Sequence, residues 1–468
     1  MSRVNVVVAS LVVVSCGSDQ GSAGVSAPVP LPVIEHTVVH DNPNNVLSAA
    51  VLVRASRADS VEVRFRAFSM GQTADSVTPR VALRDGEALV PVQGLFPGAT
   101  YSARVAAFGP GGESLGEEQS FTTGHLPTDL PSYTASGPAP SRGYVAFAAG
   151  RYGLVIDNTG RVVWYRRFDP TGPGLNFQPQ PNGRYVAMPA TLDPGDTPSF
   201  IEVDVLGNET RQLGCAGGLP PRFHDLLVEP AGDYWIMCDE TRTMNLTEVG
   251  GASAAQVTGT AVQHIDLDGS LLFQWSPFDH LDITDLDSSL LTGPAVNWTH
   301  GNALTLDGTS VLVSFRSLNE IIAIDRETGA VKWRMGGRRN QFTFLDTPTP
   351  AFARQHGLRV TTTGLLQLLD NLGDPQASRA ELYQIDPVAK TAQLVAARAA
   401  SPAALALLGG TTQELPDGRM LVAYGNGNRV EEYDQFGQVV WRIEGNPGYV
   451  FRAHRIRSLY APGAGSAR

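Results

Sequence analysis

The chain has 468 residues, a formal net charge of −11 and only 17% charged residues, against 42% hydrophobic residues, with 49 Gly and 32 Pro. This length allows about two or three domains with packed cores, and the many turn-forming residues favour an all-β fold. The acidic balance argues against a nucleic-acid partner, because phosphate binding requires a basic face.

The N-terminus carries the pattern of an export signal. Residues 1–16, MSRVNVVVASLVVVSC, hold one basic residue and then an apolar run that is too short to span a bilayer, which takes about 20 apolar residues. The ending VVSCG resembles a bacterial lipobox, in which the cysteine is lipidated. We therefore predict a lipoprotein-type signal peptide over 1–16, lipidation of Cys16, a flexible tether over 17–29 and a lipid-anchored protein in the periplasm or at the cell surface. An ordinary cleaved signal with an incidental cysteine is the alternative.

Short alternating segments between residues 30 and 125 predict a β-sandwich. Segments such as AVLVRAS, VEVRFRAF and RVALRD alternate apolar with polar residues and are separated by Gly, Pro and Asp turns. The pattern Leu95-x-Pro97-x-x-x-Tyr101, followed by a Gly-rich hairpin, resembles the fibronectin type III fold, in which the leucine and the tyrosine pack at a strand corner. We expect a spacer or docking module, joined to the rest by a Pro-rich linker over 126–142.

One hairpin recurs six times between residues 143 and 462. Each copy has an alternating strand, a turn built on Asp and a second strand, as in GLVIDNTGRVVWYRRF and IIAIDRETGAVKW. The second strand reaches a tryptophan in four copies: Trp164, Trp275, Trp333 and Trp441. A second hairpin with a turn glycine precedes five of these copies, and two hairpins make four strands. Six such units predict a six-bladed β-propeller, closed by pairing residues 143–147 with the C-terminal FRAHRIRSLY.

Three histidines occupy the same position of this repeat. His224, His300 and His356 each lie eight residues before the turn glycine of an inner hairpin. Because the innermost strands of a propeller line one channel, equivalent positions should converge on one pocket. A hydrogen bond repeated within each blade is the alternative, but Leu175 and Gly410 hold the equivalent positions of two other units, so the repeat does not require histidine.

Polar residues near His300 favour an oxyanion pocket. Asn302 follows His300 by two residues and is expected to point to the same face of the strand. Arg316, at the far end of the same hairpin, offers a guanidinium fork to a tetrahedral oxyanion. Three histidines could bind zinc, but an arginine beside them would oppose a divalent cation, so we predict no metal. We also predict no cofactor, because no phosphate loop, dinucleotide motif or serine elbow is evident.

The two remaining cysteines, Cys215 and Cys238, lie on neighbouring predicted strands. An oxidising compartment permits a disulfide between them. Two buried free thiols fit the sequence as well, because the choice depends on a distance that sequence does not give.

Several sequence blocks of the repeat region resemble those of the bacterial arylsulfotransferase family. The resemblance covers about residues 140–462, and its blocks are HGN at His300–Asn302 with Arg316, KWRMGG at 332–337, QHG at 355–357 and the C-terminal FRAHRIRSLY. It implies an exported six-bladed propeller that moves a sulfuryl group from an aryl sulfate to a phenol without a nucleotide donor. The implied partners are therefore small aryl sulfates and phenols, with membrane contact through the lipid anchor only.

The resemblance also implies roles for the site residues. His356 would be the nucleophile and form a transient sulfohistidine, which gives ping-pong kinetics. His224, His300 and Arg316 would bind and polarise the sulfate, one of the two histidines acting as general acid and then as general base. Asn302 is expected to bind substrate, as is His454 of FRAHRIRSLY if it faces the channel.

Three other functions stay open from the sequence. A non-catalytic propeller lipoprotein could serve as an assembly or adhesion scaffold, although a scaffold has no need of the registered histidines. A quinone-dependent dehydrogenase shares Trp-bearing repeats, but its propeller typically has more blades and calcium ligands. An aryl sulfate hydrolase would use the same pocket and pass the sulfuryl group to water.

Overall fold

The computed structural model describes residues 28–68, 75–168, 176–189, 199–345, 351–374 and 376–463. The predicted signal peptide 1–16 with Cys16, nearly all of the tether 17–29, and Leu175 lie outside the described residues. None of the helices in these ranges has the length and apolar character needed to cross a bilayer.

The N-terminal part of the chain forms two β-sheets around one core. Its strands are β1 (Val33–Asp41), β2 (Ser48–Ser56), β3 (Ser60–Ala67), β4 (Ser76–Val77), β5 (Val81–Ala82), β6 (Glu87–Gln93), β7 (Thr100–Gly109), β8 (Gly112–Leu115) and β9 (Gln119–Thr122). One sheet has the order β1-β2-β6 and the other β4-β3-β7-β8, with β5 beside β3 and β9 beside β7. Leu95 and Tyr101 are buried in the shared core, and the Phe96 amide donates to the Tyr101 hydroxyl at 2.8 Å. This is the corner contact that the sequence pattern predicts; the fibronectin type III assignment stays a prediction.

The regular secondary structure in the rest of the described chain is also nearly all strand, so the all-β class predicted from composition is confirmed. The strands are β10 (Ala135–Ser136), β11 (Tyr144–Ala149), β12 (Tyr152–Ile156), β13 (Val162–Arg167), β14 (Asn176–Pro179), β15 (Tyr185–Met188), β16 (Phe200–Val203), β17 (Glu209–Leu213), β18 (Pro221–Val228), β19 (Tyr234–Met244), β20 (Ala255–Ile265), β21 (Leu271–Trp275), β22 (Ala295–Asn297), β23 (Gly301–Asp307), β24 (Ser310–Phe315), β25 (Glu320–Asp325), β26 (Val331–Gly336), β27 (Thr343–Leu345), β28 (His356–Val360), β29 (Leu366–Asp370), β30 (Arg379–Asp386), β31 (Thr391–Ala399), β32 (Thr411–Leu415), β33 (Arg419–Ala423), β34 (Val430–Tyr433), β35 (Val439–Ile443) and β36 (Ala453–Ile456). The helical segments are short: α1 (Pro277–His280) and 3-10 turns at Thr247–Val249, Ile283–Asp285, Ser288–Leu290 and Pro416–Gly418.

These strands form six antiparallel sheets of the predicted four-strand type. Their orders are β13-β12-β11-β36, β14-β15-β16-β17, β18-β19-β20-β21, β23-β24-β25-β26, β28-β29-β30-β31 and β32-β33-β34-β35, with β22, β27 and β10 as additional edge strands. One edge strand of each sheet contacts its counterpart in the next sheet, along the path β14, β18, β23, β28, β32, β36 and back to β14. We call these six the inner strands. As expected from the sequence, the C-terminal β36 pairs with β11, Tyr144 opposite Ile456.

Aspartate side chains set the outer turns, as the repeat predicts. The Asp157 carboxylate accepts the amide N–H of Thr159 at 2.9 Å, and the Asp434 carboxylate accepts that of Phe436 at 2.9 Å. Asp204, Asp325 and Asp386 accept backbone N–H groups in the same way. The side chain therefore satisfies turn donors that the ladder leaves free, which is why Asp recurs at this position.

Two of the repeat tryptophans tie one sheet to the next. The indole N–H of Trp164 donates to the Val205 carbonyl at 2.8 Å. That of Trp441, in the last sheet, donates to the Asn158 carbonyl in the first sheet at 2.9 Å. The indoles are fully buried. Each therefore stabilises the contact between the outer strand of one sheet and the outer turn of the next, through the burial of its apolar ring and through its hydrogen bond.

Cys215 and Cys238 are joined by a disulfide that spans 23 residues of sequence. It links the segment entering β18 to β19, close to His224. Replacing both cysteines with serine should lower the free energy of unfolding by about 3 kcal/mol, because a loop of this length loses its constraint in the unfolded chain. Urea unfolding of the wild type with and without reductant, beside the double variant, measures this. Coincident wild-type curves in the two conditions would contradict it.

Candidate active site

The three histidines that share a position of the repeat lie in or directly before neighbouring inner strands. His224 is in β18, His300 directly precedes β23, and His356 opens β28. The ring centroids of His224 and His300 are 4.9 Å apart, and those of His224 and His356 are 6.4 Å apart. Three rings separated by long stretches of sequence therefore share one pocket.

A glycine follows two of these histidines because neighbouring strands leave no space for a side chain. A Cβ at Gly301 would lie 2.6 Å from the side chain of Thr260, and a Cβ at Gly357 would lie 2.9 Å from the backbone of Thr411. Gly357 also has a φ of +66°, which disfavours other residues. The His-Gly pairs thus let the inner strands approach closely where the rings converge.

His356 is buried, and its ring interacts with the side chain of Asn371 and with the backbone of Arg354. Its Nδ1 lies 2.9 Å from the side-chain oxygen of Asn371. Burial is the largest cause that lowers the pKa of His356, to about 3, and the charges of Arg316 and Arg452 act in the same direction. The imidazole is therefore neutral near pH 7, with a lone pair available on one nitrogen.

The other two rings are neutral for the same reasons. Burial, followed by the charges of Arg222 and Arg316, lowers the pKa of His300 to about 2. Burial also lowers the pKa of His224 well below its ordinary value. His300 has a φ of +50°, an uncommon conformation for a non-glycine residue, and its Nδ1 lies 2.7 Å from the side-chain nitrogen of Asn297.

Arg316 lies beside these rings and has spare donors. Its backbone N–H donates to the His300 carbonyl at 3.0 Å, and its Nη2 donates to the Leu407 carbonyl at 3.3 Å. Its Nε is buried and has no hydrogen-bond partner among the described residues. Burial lowers the pKa of Arg316, and the charge of Arg354 lowers it further. An anion in the pocket would satisfy this donor and relieve the repulsion.

Arg354 is a pocket residue that the sequence analysis missed. It lies two residues before His356, with a φ of +55°, and its backbone N–H is held by the Asn319 side chain at 2.9 Å. Its charge acts on both Arg316 and His300. The available signal was its place directly ahead of the Gln-His-Gly block.

A buried ion cluster lies next to the histidines, and the sequence analysis missed it too. The Asp225 carboxylate is fully buried and accepts from Arg452 Nη1 at 2.7 Å and from Arg359 Nη1 and Nη2 at 2.7 and 3.0 Å. The Leu304 backbone N–H donates to it at 2.9 Å. Although burial acts to raise it, the two guanidinium charges hold the pKa of Asp225 at about 2. Asp225 follows His224 directly, so this cluster adjoins the three rings.

Asn302 does not share the face of His300, contrary to the expectation from their spacing. It is fully buried, and its side-chain nitrogen donates to the Gln355 carbonyl at 2.6 Å. The strand register is irregular between Gly301 and Ala303, and the positive φ of His300 turns its ring away from the regular alternation. Asn302 therefore joins β23 to the segment that leads into His356 and uses one of its two N–H groups there; substrate binding by Asn302 stays a prediction.

His454 lies on the inner strand β36, opposite Ala146 of β11. Burial, with the charges of Arg359 and Arg452, lowers its pKa to about 3. The close ring contacts of the described residues join His224 to His300 and His356 but do not include His454. His454 therefore lies near the charges of the Asp225 cluster, next to the pocket in which the sequence analysis placed it.

A separate His-carboxylate group lies outside this pocket. The ligand atoms of Glu229, Asp233 and His264 are within 4.8 Å of one another. His264 Nε2 is 2.6 Å from the Asp233 carboxylate, and its ring stacks on Trp235. His264 is therefore held in place by a hydrogen bond and by ring stacking, as expected for a histidine with a structural role.

Replacing Asp225 with asparagine should destabilise the protein by about 3–5 kcal/mol, because Arg359 and Arg452 would lose their buried counter-charge. Urea unfolding at pH 7 measures the difference. The wild-type contribution is present above pH 3.8, the ordinary pKa, and is lost as the pH falls towards 2. Asp307→Asn, an exposed change in β23, is the matched control and should stay within about 0.5 kcal/mol of wild type. Equal loss in both variants would contradict a special role for Asp225.

Comparison with known proteins connects this geometry to one family. The family model described as arylsulfotransferase (ASST) matches residues 221–446, somewhat less than half of the chain, which confirms the resemblance found in the motifs. The matched region includes all three converging histidines and Arg316. No match to a curated protein is found.

Solved structures with some likeness to the chain include two lyases. A virginiamycin B lyase from Staphylococcus aureus has 8% identity and a TM-score of 0.37, covering 66% of this chain and 88% of the lyase. A streptogramin B lyase has 13% identity and a TM-score of 0.38, covering 67% of this chain and 84% of that one. AztD from Citrobacter koseri has 11% identity and a TM-score of 0.28, covering 90% and 98%. Similarity this low carries no inference about function.

Proposed function

We propose that residues 143–462 form a closed six-bladed β-propeller that transfers a sulfuryl group from an aryl sulfate to a phenolic acceptor. The arylsulfotransferase family match over residues 221–446 supports sulfotransferase-like activity in general. The observation that carries the specific proposal is the convergence of three neutral imidazoles beside the unpartnered Nε of Arg316. The contact path that returns from β36 to β14 supports closure of the propeller.

The first half-reaction uses the lone pair of His356. A ring nitrogen attacks sulfur, the nitrogen–sulfur bond forms, and the bond between sulfur and the aryl oxygen breaks, so that a phenolate leaves and a sulfohistidine remains. Negative charge develops on the sulfuryl oxygens and on the leaving oxygen. Arg316 and Arg354 meet the former, and a ring N–H of His300 or His224 stabilises the latter.

His300 is the better donor to the leaving oxygen. Its Nδ1 lies beside the side-chain nitrogen of Asn297, which can only donate, so the imidazole proton resides on Nε2. The second half-reaction is the reverse of the first. The acceptor enters as its phenolate, which the same N–H of His300 stabilises, its oxygen attacks sulfur, the nitrogen–sulfur bond breaks, and neutral His356 is regenerated.

The charge distribution supports an anionic substrate. Arg452 is neutralised by Asp225, whereas Arg354 has no side-chain hydrogen bond or ion pair with a described carboxylate, and Arg316 donates only to a carbonyl. The charge of Arg354 acts on the Asp287 carboxylate without an ion pair. Two cations without a hydrogen-bonded counter-ion next to buried neutral rings are unfavourable until an oxyanion enters. A non-catalytic scaffold gives no reason for this arrangement, whereas a hydrolase would use it equally well.

Export with lipidation at Cys16 is part of the proposal. It rests on the pattern of residues 1–16 and accords with the disulfide between Cys215 and Cys238.

Turnover of a chromogenic aryl sulfate, measured with and without an added phenol, tests the function. Without the acceptor the wild type should release at most about one equivalent of chromophore per enzyme, and it should turn over continuously only when the acceptor is present. His356→Ala should lower kcat by at least about 10³-fold, because the nucleophile is removed. His264→Ala, which alters a histidine outside the pocket, is the matched control and should retain activity. Continuous acceptor-independent release would identify a hydrolase, and no turnover by the wild type across a broad donor panel would refute the enzymatic function.

The pH dependence of kcat/KM provides a separate check. A free histidine side chain titrates near pH 6.5, whereas the pKa of His356 is about 3. The nucleophile therefore stays unprotonated as the pH falls, and kcat/KM for a donor whose sulfate does not titrate should change little between pH 8 and pH 5. A decline of kcat/KM with an apparent pKa near 6.5 would contradict the conclusion that the His356 ring is neutral throughout this pH range.

A further inference from the structure

Asn371 is held in one orientation by its own hydrogen bonds. It follows β29 directly and is fully buried. Its side-chain nitrogen donates to the carbonyls of Ala406 at 2.9 Å and Gly409 at 3.0 Å. A carboxamide nitrogen carries two N–H groups, and both are used here. Rotation of the amide by 180° would place its oxygen against two carbonyl oxygens, so the oxygen must be the atom that faces His356.

This orientation determines where the proton of His356 resides. The Asn371 oxygen can only accept, and it lies 2.9 Å from Nδ1 of His356. The imidazole must therefore carry its proton on Nδ1, which leaves the lone pair on Nε2. With the opposite tautomer, a buried acceptor would face a buried acceptor, which is unfavourable without water or a proton between them.

We propose that Asn371 is the positioning residue that holds His356 as its Nδ1–H tautomer, so that Nε2 is the nitrogen that attacks sulfur. This inference rests on the proposed function and deepens it. The family match covers Asn371 but assigns it no role.

The same contacts connect the nucleophile to the anion-binding arginine. Ala406 and Gly409 flank Leu407, whose carbonyl accepts from Arg316 at 3.3 Å. Ser378 fixes this segment further, because its hydroxyl donates to the Asn371 carbonyl and accepts from the Ala406 N–H, both at 2.8 Å. One short segment, residues 406–409, thus orients both the nucleophile through Asn371 and the guanidinium of Arg316.

Nitrogen-15 NMR of the full-length chain labelled in histidine measures the tautomer without any substrate. The chain has nine histidines, and the His356 signals are identified by their loss in His356→Gln. The wild type should show a protonated Nδ1 and an unprotonated Nε2 on this ring. A wild-type His356 protonated on Nε2 overturns the inference whatever the activity.

Two variants separate the acceptor of Asn371 from its donors. Asn371→Leu removes both, so His356 should lose its uniform Nδ1–H signal and kcat should fall at least about 10-fold, as expected for a wrongly placed proton. Asn371→Asp keeps an acceptor but loses the donations to Ala406 and Gly409. It should retain the Nδ1–H tautomer while unfolding at a lower temperature. An unchanged tautomer and kcat in Asn371→Leu would overturn the positioning role.

Asn176 is the matched control for the NMR measurement. It is also fully buried, and its side-chain nitrogen likewise donates to two carbonyls, those of Phe223 and His224, each at 2.9 Å. Its oxygen contacts no histidine nitrogen among the described residues. Asn176→Leu should therefore lower stability yet leave the His356 tautomer unchanged, and a changed tautomer in this variant would mean that general loosening, not the Asn371 contact, sets the proton.

A separate outcome isolates failure of the proposed function. If wild-type His356 has the Nδ1–H tautomer but no aryl sulfate is turned over, then the proposed function and the positioning role in catalysis both fail, although the tautomer assignment holds.

Discussion

The buried carboxylate of Asp225 is the contact on which the rest of the pocket depends. It lies on β18 and receives hydrogen bonds from Arg359 of β28, from Arg452 just ahead of β36 and from the backbone of β23 at Leu304. Gln178 of β14 donates to it as well, at 3.2 Å. Five of the six inner strands therefore converge on one charge. Because an unpaired buried charge is very unfavourable, this cluster fixes how the strands approach one another and hence how the histidines at their beginnings meet.

The same cluster decides which cations can act on a ligand. Arg359 and Arg452 share the single carboxylate of Asp225, whereas Arg316 and Arg354 lie beside the imidazoles and form no ion pair with a described carboxylate. The pocket is therefore electropositive although the chain as a whole is acidic. The net charge argues against a nucleic-acid partner but gives no information about this local field, which depends on which arginines have a counter-ion.

Much of the architecture was readable from the sequence because it depends on local chemistry. The Asp turns and the tryptophan strands follow from side chains that bond within a few residues, and the shared register of the histidines follows from the repeat. Asn302 was misplaced because the positive φ of His300 interrupts the two-residue alternation on which the prediction relied. Asp225 and Asn371 went unnoticed for another reason. The partners of Asp225 lie on other sheets, far away in sequence. Asn371 contacts His356 within one hairpin, but its orientation depends on Ala406 and Gly409 beyond that sheet, and no periodic pattern marks either set of contacts.

The pairing of β36 with β11 has a consequence for how this molecule acquires its chemistry. Arg452 immediately precedes β36. One of the two cations that pair with Asp225 and the last inner strand therefore belong to the same segment, which is among the last of the repeat region to be synthesised. Contacts of such large sequence separation form late and slowly. Until they form, β11 has an unpaired edge and Asp225 lacks one of its two cations. The ion cluster beside the histidines is therefore completed only when the C-terminal strand pairs with β11.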